Sequence, residues 1–226
     1  YDHSLQREVG YLTAHSLLHL LGYDHEKGGM EAVRMREKEE VIMEQLGLPA
    51  GDARRQAVRL VYPLGGGYST MRTQLISSML TVLSTNYNRK NTAVRFFEVS
   101  RLFLPKALPL TEQPDEVPAL SLGLYGKDED FFTLKGIIED IVDRFQVKAS
   151  YERSQEVFLH PGRQANIVYD GTVIGYMGEV HPTVAANYAI KERVYVAVLD
   201  MPEIVSHASF DHKYEGIAKF PAAARY

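Results

Sequence analysis

The chain has 226 residues, 45% of them hydrophobic and 24% charged, with a net charge of −4 and no cysteine. This allows one or two domains with a real core, excludes a disulfide framework in keeping with a reducing cytoplasm, and leaves no apolar run of the roughly 18 residues that a membrane span needs. The first 51 residues carry five Lys/Arg against nine Asp/Glu and the rest is balanced at twenty against twenty, so no basic stripe marks a nucleic-acid footprint.

The chain opens at Tyr1 with neither Met nor a basic-apolar leader, which reads as a fragment. Leu5, Val9, Leu12, Leu17, Leu20 and Leu21 recur at helical spacing over residues 5–21, and Gly22 is a plausible helix stop. A second helix fits Met30–Leu46, ended by Gly47, and Leu48-Pro49-Ala50-Gly51-Asp52 reads as a boundary after which the style of the sequence changes. Met71–Tyr87 is amphipathic, with Met71, Leu75, Met79, Leu80 and Leu83 on one face. Val94–Leu104 reads as a buried strand, Leu104–Pro118 as a proline-rich acidic loop, and Ala119–Tyr125 as a short strand. Asp130 can cap a helix running through Phe145 with Leu134, Ile137, Ile138, Ile141 and Val142 inward. Ala165–Tyr169 and Thr172–Met177 flank Asp170-Gly171, a hairpin signal; Pro182 marks a helix start and Val194–Leu199 a last strand. Hairpins mixed with helices predict an α+β fold rather than alternating βαβ units.

The sharpest chemical signal is His15-Ser-Leu-Leu-His19-Leu-Leu-Gly-Tyr-Asp-His25. Two histidines four apart project from one helix face, and the Gly22 turn can return His25 to the same point. Three imidazoles with an open fourth position suit a catalytic zinc ion. The competing reading is coincidence, since an i,i+4 histidine pair alone is common; the third His beyond a glycine turn is the rarer part. Ser16 stands where HExxH proteases carry glutamate, so the motif holds no base of its own. Asp24 is either an orienting partner for a ligand ring or a turn residue.

With Arg7-Glu8-Val9-Gly10-Tyr11-Leu12 before it and Met35-Arg36-Glu37-Lys38-Glu39-Glu40 after it, this segment resembles the C-terminal part of the YbeY family of single-strand-specific zinc endoribonucleases of ribosomal RNA maturation. The resemblance covers about residues 1–50 and implies that His15, His19 and His25 are zinc ligands. The family's N-terminal strands, with its substrate-facing arginine region, have no counterpart here.

A second resemblance runs through Tyr62-Pro63-Leu64, Met71-Arg72-Thr73, Asn86-Tyr87-Asn88-Arg89, Phe96-Phe97-Glu98-Val99 and Asp130-Phe131-Phe132-Thr133-Leu134-Lys135-Gly136. It continues in His160-Pro161-Gly162-Arg163, Gly175-Tyr176-Met177-Gly178-Glu179-Val180-His181-Pro182 and Lys219-Phe220-Pro221. In this order they resemble the core domain of the bacterial phenylalanyl-tRNA synthetase β subunit, over about residues 57–226. That implies a class II aminoacyl-tRNA synthetase-like core, an antiparallel sheet with helices, preceded by the two-helix histidine-rich segment. It also implies an α-subunit partner in an (αβ)2 assembly, with ATP and Mg handled by that partner and tRNA contacted through domains absent here. Tyr62 departs from the Asn usual before Pro-Leu, and no acidic residue follows Arg225.

The residues independently favour a core without catalysis, since Ile174–Ala189 contains no Arg or Lys to meet a triphosphate. His160 and Arg163 are a structural turn or a subunit contact rather than ligand groups, and His181 caps or packs near Glu179. Met71, Met79, Phe96 and Phe97 are expected in the core, and Arg72 is a candidate interface residue. Three functions stand open: a non-catalytic synthetase β core, a metal-dependent single-strand endoribonuclease acting on rRNA, and a joined chain whose halves share no task.

Overall fold

The computed structural model describes residues 43–60 and 70–209. The helix expected over residues 5–21, most of that over Met30–Leu46, and His15, His19 and His25 lie outside the described residues. Residues 43–45 are helical, and the turn closes as expected at Gly47, whose φ of +70° lets Leu48 N–H reach Met43 O at 3.2 Å.

A single 3-10 turn at Ala53–Arg55 leads to α1 (Ile76–Asn88), β1 (Val94–Leu104), β2 (Asp115–Tyr125), α2 (Phe131–Arg144) and β3 (Ser150–Arg153). Then come β4 (Leu159–Tyr169), β5 (Thr172–Val180), α3 (Pro182–Asn187), β6 (Tyr195–Asp200) and α4 (Met201–Ser206). The strands form one antiparallel sheet in the order β1-β2-β6-β5-β4-β3, an α+β architecture as expected. The last strand, β6, inserts between β2 and β5 and is covered on both faces. Its Tyr195, Val196, Ala197, Val198 and Leu199 are all buried, which is why it reads as an unbroken apolar run.

One face packs under α1, whose Ile76, Met79, Leu80 and Leu83 meet Ala119, Tyr125, Val196 and Val198 together with Val184 and Tyr188. Gly123 makes this approach possible, because a Cβ there would lie 2.6 Å from the Met79 side chain. The other face packs under α2 and α4, where Leu134, Ile138, Val142 and Ile204 cover Leu120, Leu122, Leu124, Ile167, Met177 and Leu199. As expected, Asp130 caps α2, accepting from Thr133 N–H at 2.7 Å.

Several boundaries differ from expectation. The helix sought from Met71 starts at Ile76, because Met71 N–H donates to Val58 O at 2.8 Å and Arg72 O accepts from Phe103 N–H at 2.9 Å, which keeps residues 70–72 extended. Residues 115–118, expected as loop, belong to β2, with Leu104 opposite Asp115. Pro118 is tolerated because it lies one residue beyond the stretch that β6 pairs, so no ladder bond is lost. Strand β1 is half-buried rather than buried, and Phe97, expected in the core, is 72% exposed.

The boundary segment packs into the body. Leu46 and Leu48 are buried in the α1 core, and Asn187 Nδ2 donates to Gln45 O at 2.9 Å. Arg54 holds both oxygens of Asp52 at 2.9 and 2.7 Å, donates to Glu156 at 2.8 Å, and lies 5.4 Å above the Phe158 ring. Its hydrogen bond, opposed by burial, holds the Asp52 carboxyl below its ordinary 3.8. A depressed folded value stabilises the fold above the unfolded one and is lost as pH falls through the folded value. Asp52→Asn is therefore expected to cost about 1 kcal/mol at pH 7, with the difference from the parent shrinking as the pH falls below the ordinary carboxyl value of 3.8. Chemical denaturation at pH 7 and through the acid range measures it.

Candidate functional site

Two places carry unusual chemistry, a buried ion pair where β4 and β5 meet and an uncovered apolar strip at the β1 edge. Glu179 on β5 faces Tyr195 on β6 and is 2% exposed. A lone carboxylate at that depth is costly, and Arg163 from β4 answers it in bidentate geometry, Nε to Oε2 at 2.6 Å and Nη2 to Oε1 at 2.9 Å. Arg163 reaches this position through the irregular register between Leu159 and Gln164. Gly178 admits it, since a Cβ there would lie 2.8 Å from the Arg163 carbonyl. The carboxylate in turn raises the Arg163 pKa.

The histidines nearby have structural partners. His160 Nδ1 accepts from Gly162 N–H at 3.1 Å, a local turn contact. His181 caps α3, its Nδ1 accepting from Thr183 N–H at 3.3 Å, in agreement with the capping role expected for it. Among the described residues no group of three His, Asp or Glu side chains is placed to share a metal ion. The sequence placed no cation between Ile174 and Ala189; the fold brings Arg163 there from 16 residues away, already paired with Glu179.

The second place is the outer face of β1. Arg95, Phe97, Val99 and Arg101 alternate on the side that looks toward α2 and α4, opposite Leu124, Leu122, Leu120 and Pro118 of β2. Helix α2 lies against β5 and β6, and α4 chiefly against β2, so neither roofs β1. Phe97 is 72% and Val99 66% exposed. Arg95 pairs with Glu129 at 2.9 Å and Arg101 with Glu116 at 2.6 Å, framing the apolar pair with charge. Arg72, a candidate interface residue, is engaged on the opposite face by Glu98. Sequence reasoning missed Phe97 and Val99 as surface because apolar residues fall on both faces of this strand, Val94, Phe96 and Leu102 on the other, which blurs the two-residue period.

A family model described as the phenylalanyl tRNA synthetase beta chain CLM domain matches residues 32–201, and one for the endoribonuclease YbeY matches residues 1–47. A phenylalanine–tRNA ligase beta subunit from Clostridium acetobutylicum is 37% identical over 186 residues, covering 81% of this chain and 23% of that protein. The beta subunit from Clostridium tetani is 36% identical over 190 residues, with 81% and 23% covered. That from Streptococcus thermophilus is 35% identical over 178 residues, with 74% and 22% covered. The chain thus spans less than a quarter of the length of these relatives.

Proposed function

Because the chain belongs to the family of the phenylalanyl tRNA synthetase beta chain CLM domain, we propose that it is a non-catalytic, class II-like synthetase core that packs against a synthetase α chain in tRNA aminoacylation. The observation that carries this reading is the β1 strip. On a sheet whose central strands are covered by helices, Phe97 and Val99 remain exposed beside buried Leu120 and Leu122, a surface suited to a partner. The Arg163–Glu179 pair supports the non-catalytic part, since an incoming phosphate would have to break a bidentate pair whose carboxylate is almost wholly buried. ATP and Mg then belong to the α chain, and tRNA contacts to parts of the relatives that this chain does not span. The compartment proposed is the cytoplasm, where aminoacylation supplies the ribosome. Phenylalanine-dependent exchange of pyrophosphate into ATP tests the assignment: the full chain alone is expected to give none, and exchange above the blank would overturn it.

A second reading concerns residues 1–47, similar to the YbeY model. We propose that His15, His19 and His25 hold a zinc ion; a set of three neutral nitrogens suits it, and the metal there would acidify a bound water. In that reading the segment derives from a metal-dependent single-strand endoribonuclease of rRNA maturation. Elemental analysis is the test: about one zinc per chain is expected, falling below about 0.1 in His19→Ala. Equal zinc in both proteins would refute it.

A further inference from the structure

The turn between β4 and β5 carries a reactive step that the fold holds in check. Asp170-Gly171 is the one place in the 226 residues where Asp or Asn precedes Gly. At such a step the glycine amide nitrogen can attack the aspartyl side-chain carbon, Cγ. A C–N bond forms there, the Cγ–OH bond breaks, and the hydroxyl leaves with the amide proton as water. Water then opens the resulting succinimide ring at either carbonyl, restoring aspartate or giving isoaspartate, whose main chain is one methylene longer. No oxidant, reductant or cofactor is consumed, and glycine adds no side chain to crowd the attacking nitrogen.

Asp170 and Gly171 are both exposed, and a Cβ built on Gly171 would meet no atom within 4 Å. Water therefore reaches the step, and steric shielding does not protect it. The backbone conformation does. Tyr169 pairs with Thr172, leaving a two-residue loop with φ of 48° at Asp170 and 78° at Gly171. Two positive values in such a loop define the type I′ turn, the mirror image of type I, with ψ of about +30° at the first loop residue.

Ring closure needs the Asp170 Cβ to eclipse the Gly171 nitrogen about the Cα–C bond. At a ψ of about +30° the two stand roughly 150° apart, on opposite sides of that bond. Turning ψ far enough breaks the Tyr169–Thr172 pair, so the hairpin has to open before the new bond can form. Opening is opposed by Ile167 and Ile174, which flank the turn and are fully buried in the core under α2 and α4. We propose that Asp170 is a latent isoaspartate site, shut while the β4–β5 hairpin is closed and released when it opens. Once formed, the longer main chain no longer fits a two-residue turn, and the Tyr169–Thr172 register is lost with it. The free α-carboxylate of the isoaspartyl residue is the group that an isoaspartate-directed carboxyl methyltransferase would take, on chains that have opened.

The test follows isoaspartate in the full chain, kept near neutral pH either folded in buffer or unfolded in guanidinium chloride. Isoaspartate is counted by enzymatic carboxyl methylation and placed by peptide mass spectrometry. It should appear at residue 170 in the unfolded chain and form at least about tenfold more slowly in the folded one. The ratio of the two rates should match, within about threefold, the open fraction that amide exchange reports at Thr172, whose N–H closes the turn. Equal rates in the two states, or a folded rate above what that open fraction allows, would show ring closure inside the closed turn and overturn the gate. Isoaspartate concentrated at another residue, or none in the unfolded chain, overturns the site itself.

Asp170→Asn probes the same gate from a different leaving group. Asn-Gly is one of the pairs that type I′ turns favour, so the hairpin is retained, while loss of ammonia from the side-chain amide leads to the same succinimide. Its unfolded chain should react faster than that of the parent, and its folded chain should keep the parent's ratio of folded to unfolded rate. A folded Asp170→Asn chain that reacts as fast as the unfolded one overturns the gate as well.

Discussion

Gly175→Ala is expected to destabilise the fold by about 3 kcal/mol, or roughly 10 °C in unfolding midpoint for a chain of this size. Gly175 lies opposite Leu199 where β5 and β6 meet in the middle of the sheet. A Cβ built there would sit 2.5 Å from the Val198 carbonyl oxygen and 3.2 Å from Leu199 Cα. Both obstacles are backbone in a strand covered on each face, so no rotamer change relieves the clash and the ladder itself has to move. Gly136 in α2 is the matched control, since a Cβ there meets nothing within 4 Å. Gly136→Ala is expected to stabilise by roughly 0.5–1 kcal/mol, because glycine in a helix interior loses more freedom on folding than alanine. Thermal and urea unfolding of both variants checks the pair. Equal effects at the two glycines would show that β5 and β6 are not packed as described.

The second large effect is expected at the buried ion pair. Arg163→Met should cost about 3 kcal/mol, the lower end of what breaking a buried pair costs, because the arginine is itself partly exposed. The loss comes mainly from stranding Glu179, whose side chain is 3% exposed, and not from the missing attraction. The double substitution Arg163→Met with Glu179→Leu should therefore recover most of the stability, since it removes the stranded charge as well. A double-mutant cycle measures this coupling directly. Additive losses would mean that the two side chains act independently. The synthetase reading gains from recovery, because a pair replaceable by apolar residues is serving structure.

Much of the sheet was legible in the sequence because local signals there are strong. Asp170 and Gly171 both take positive φ, 48° and 78°, as an Asp-Gly hairpin predicts. Asp130 caps α2 three residues before the amide it bonds, a spacing visible in the chain. What stayed hidden depends on partners distant in sequence. Strand β4 runs through His160-Pro161-Gly162, which read as a turn; the register irregularity after Leu159 absorbs the proline. Residues 115–118 looked like loop because Pro118 and its acidic neighbours oppose strand formation, and their pairing comes from β1. The Arg163–Glu179 contact joins two residues whose meeting needs that same irregularity, and no local pattern announces it. Strand β1 was found, yet its surface was not, because which face an apolar residue takes depends on where the covering helices stop. At the junction, Pro49 and Gly51 advertise a break, whereas Leu46, Leu48 and Arg54 on either side are anchored in the body.

The membrane expectation was likewise read from local composition, and no helix among the described residues is long and apolar enough to cross a membrane. The zinc expectation rests on His15, His19 and His25 alone, and the elemental test bears on those residues without touching the synthetase reading.

The most direct test of the central claim is sedimentation velocity of the full chain mixed with the synthetase α chain of the source organism. The account predicts a single faster boundary containing both chains, which separates into two when Phe97→Asp replaces the parent. Two independent boundaries for the parent chain, at concentrations well above about 1 μM, would contradict it.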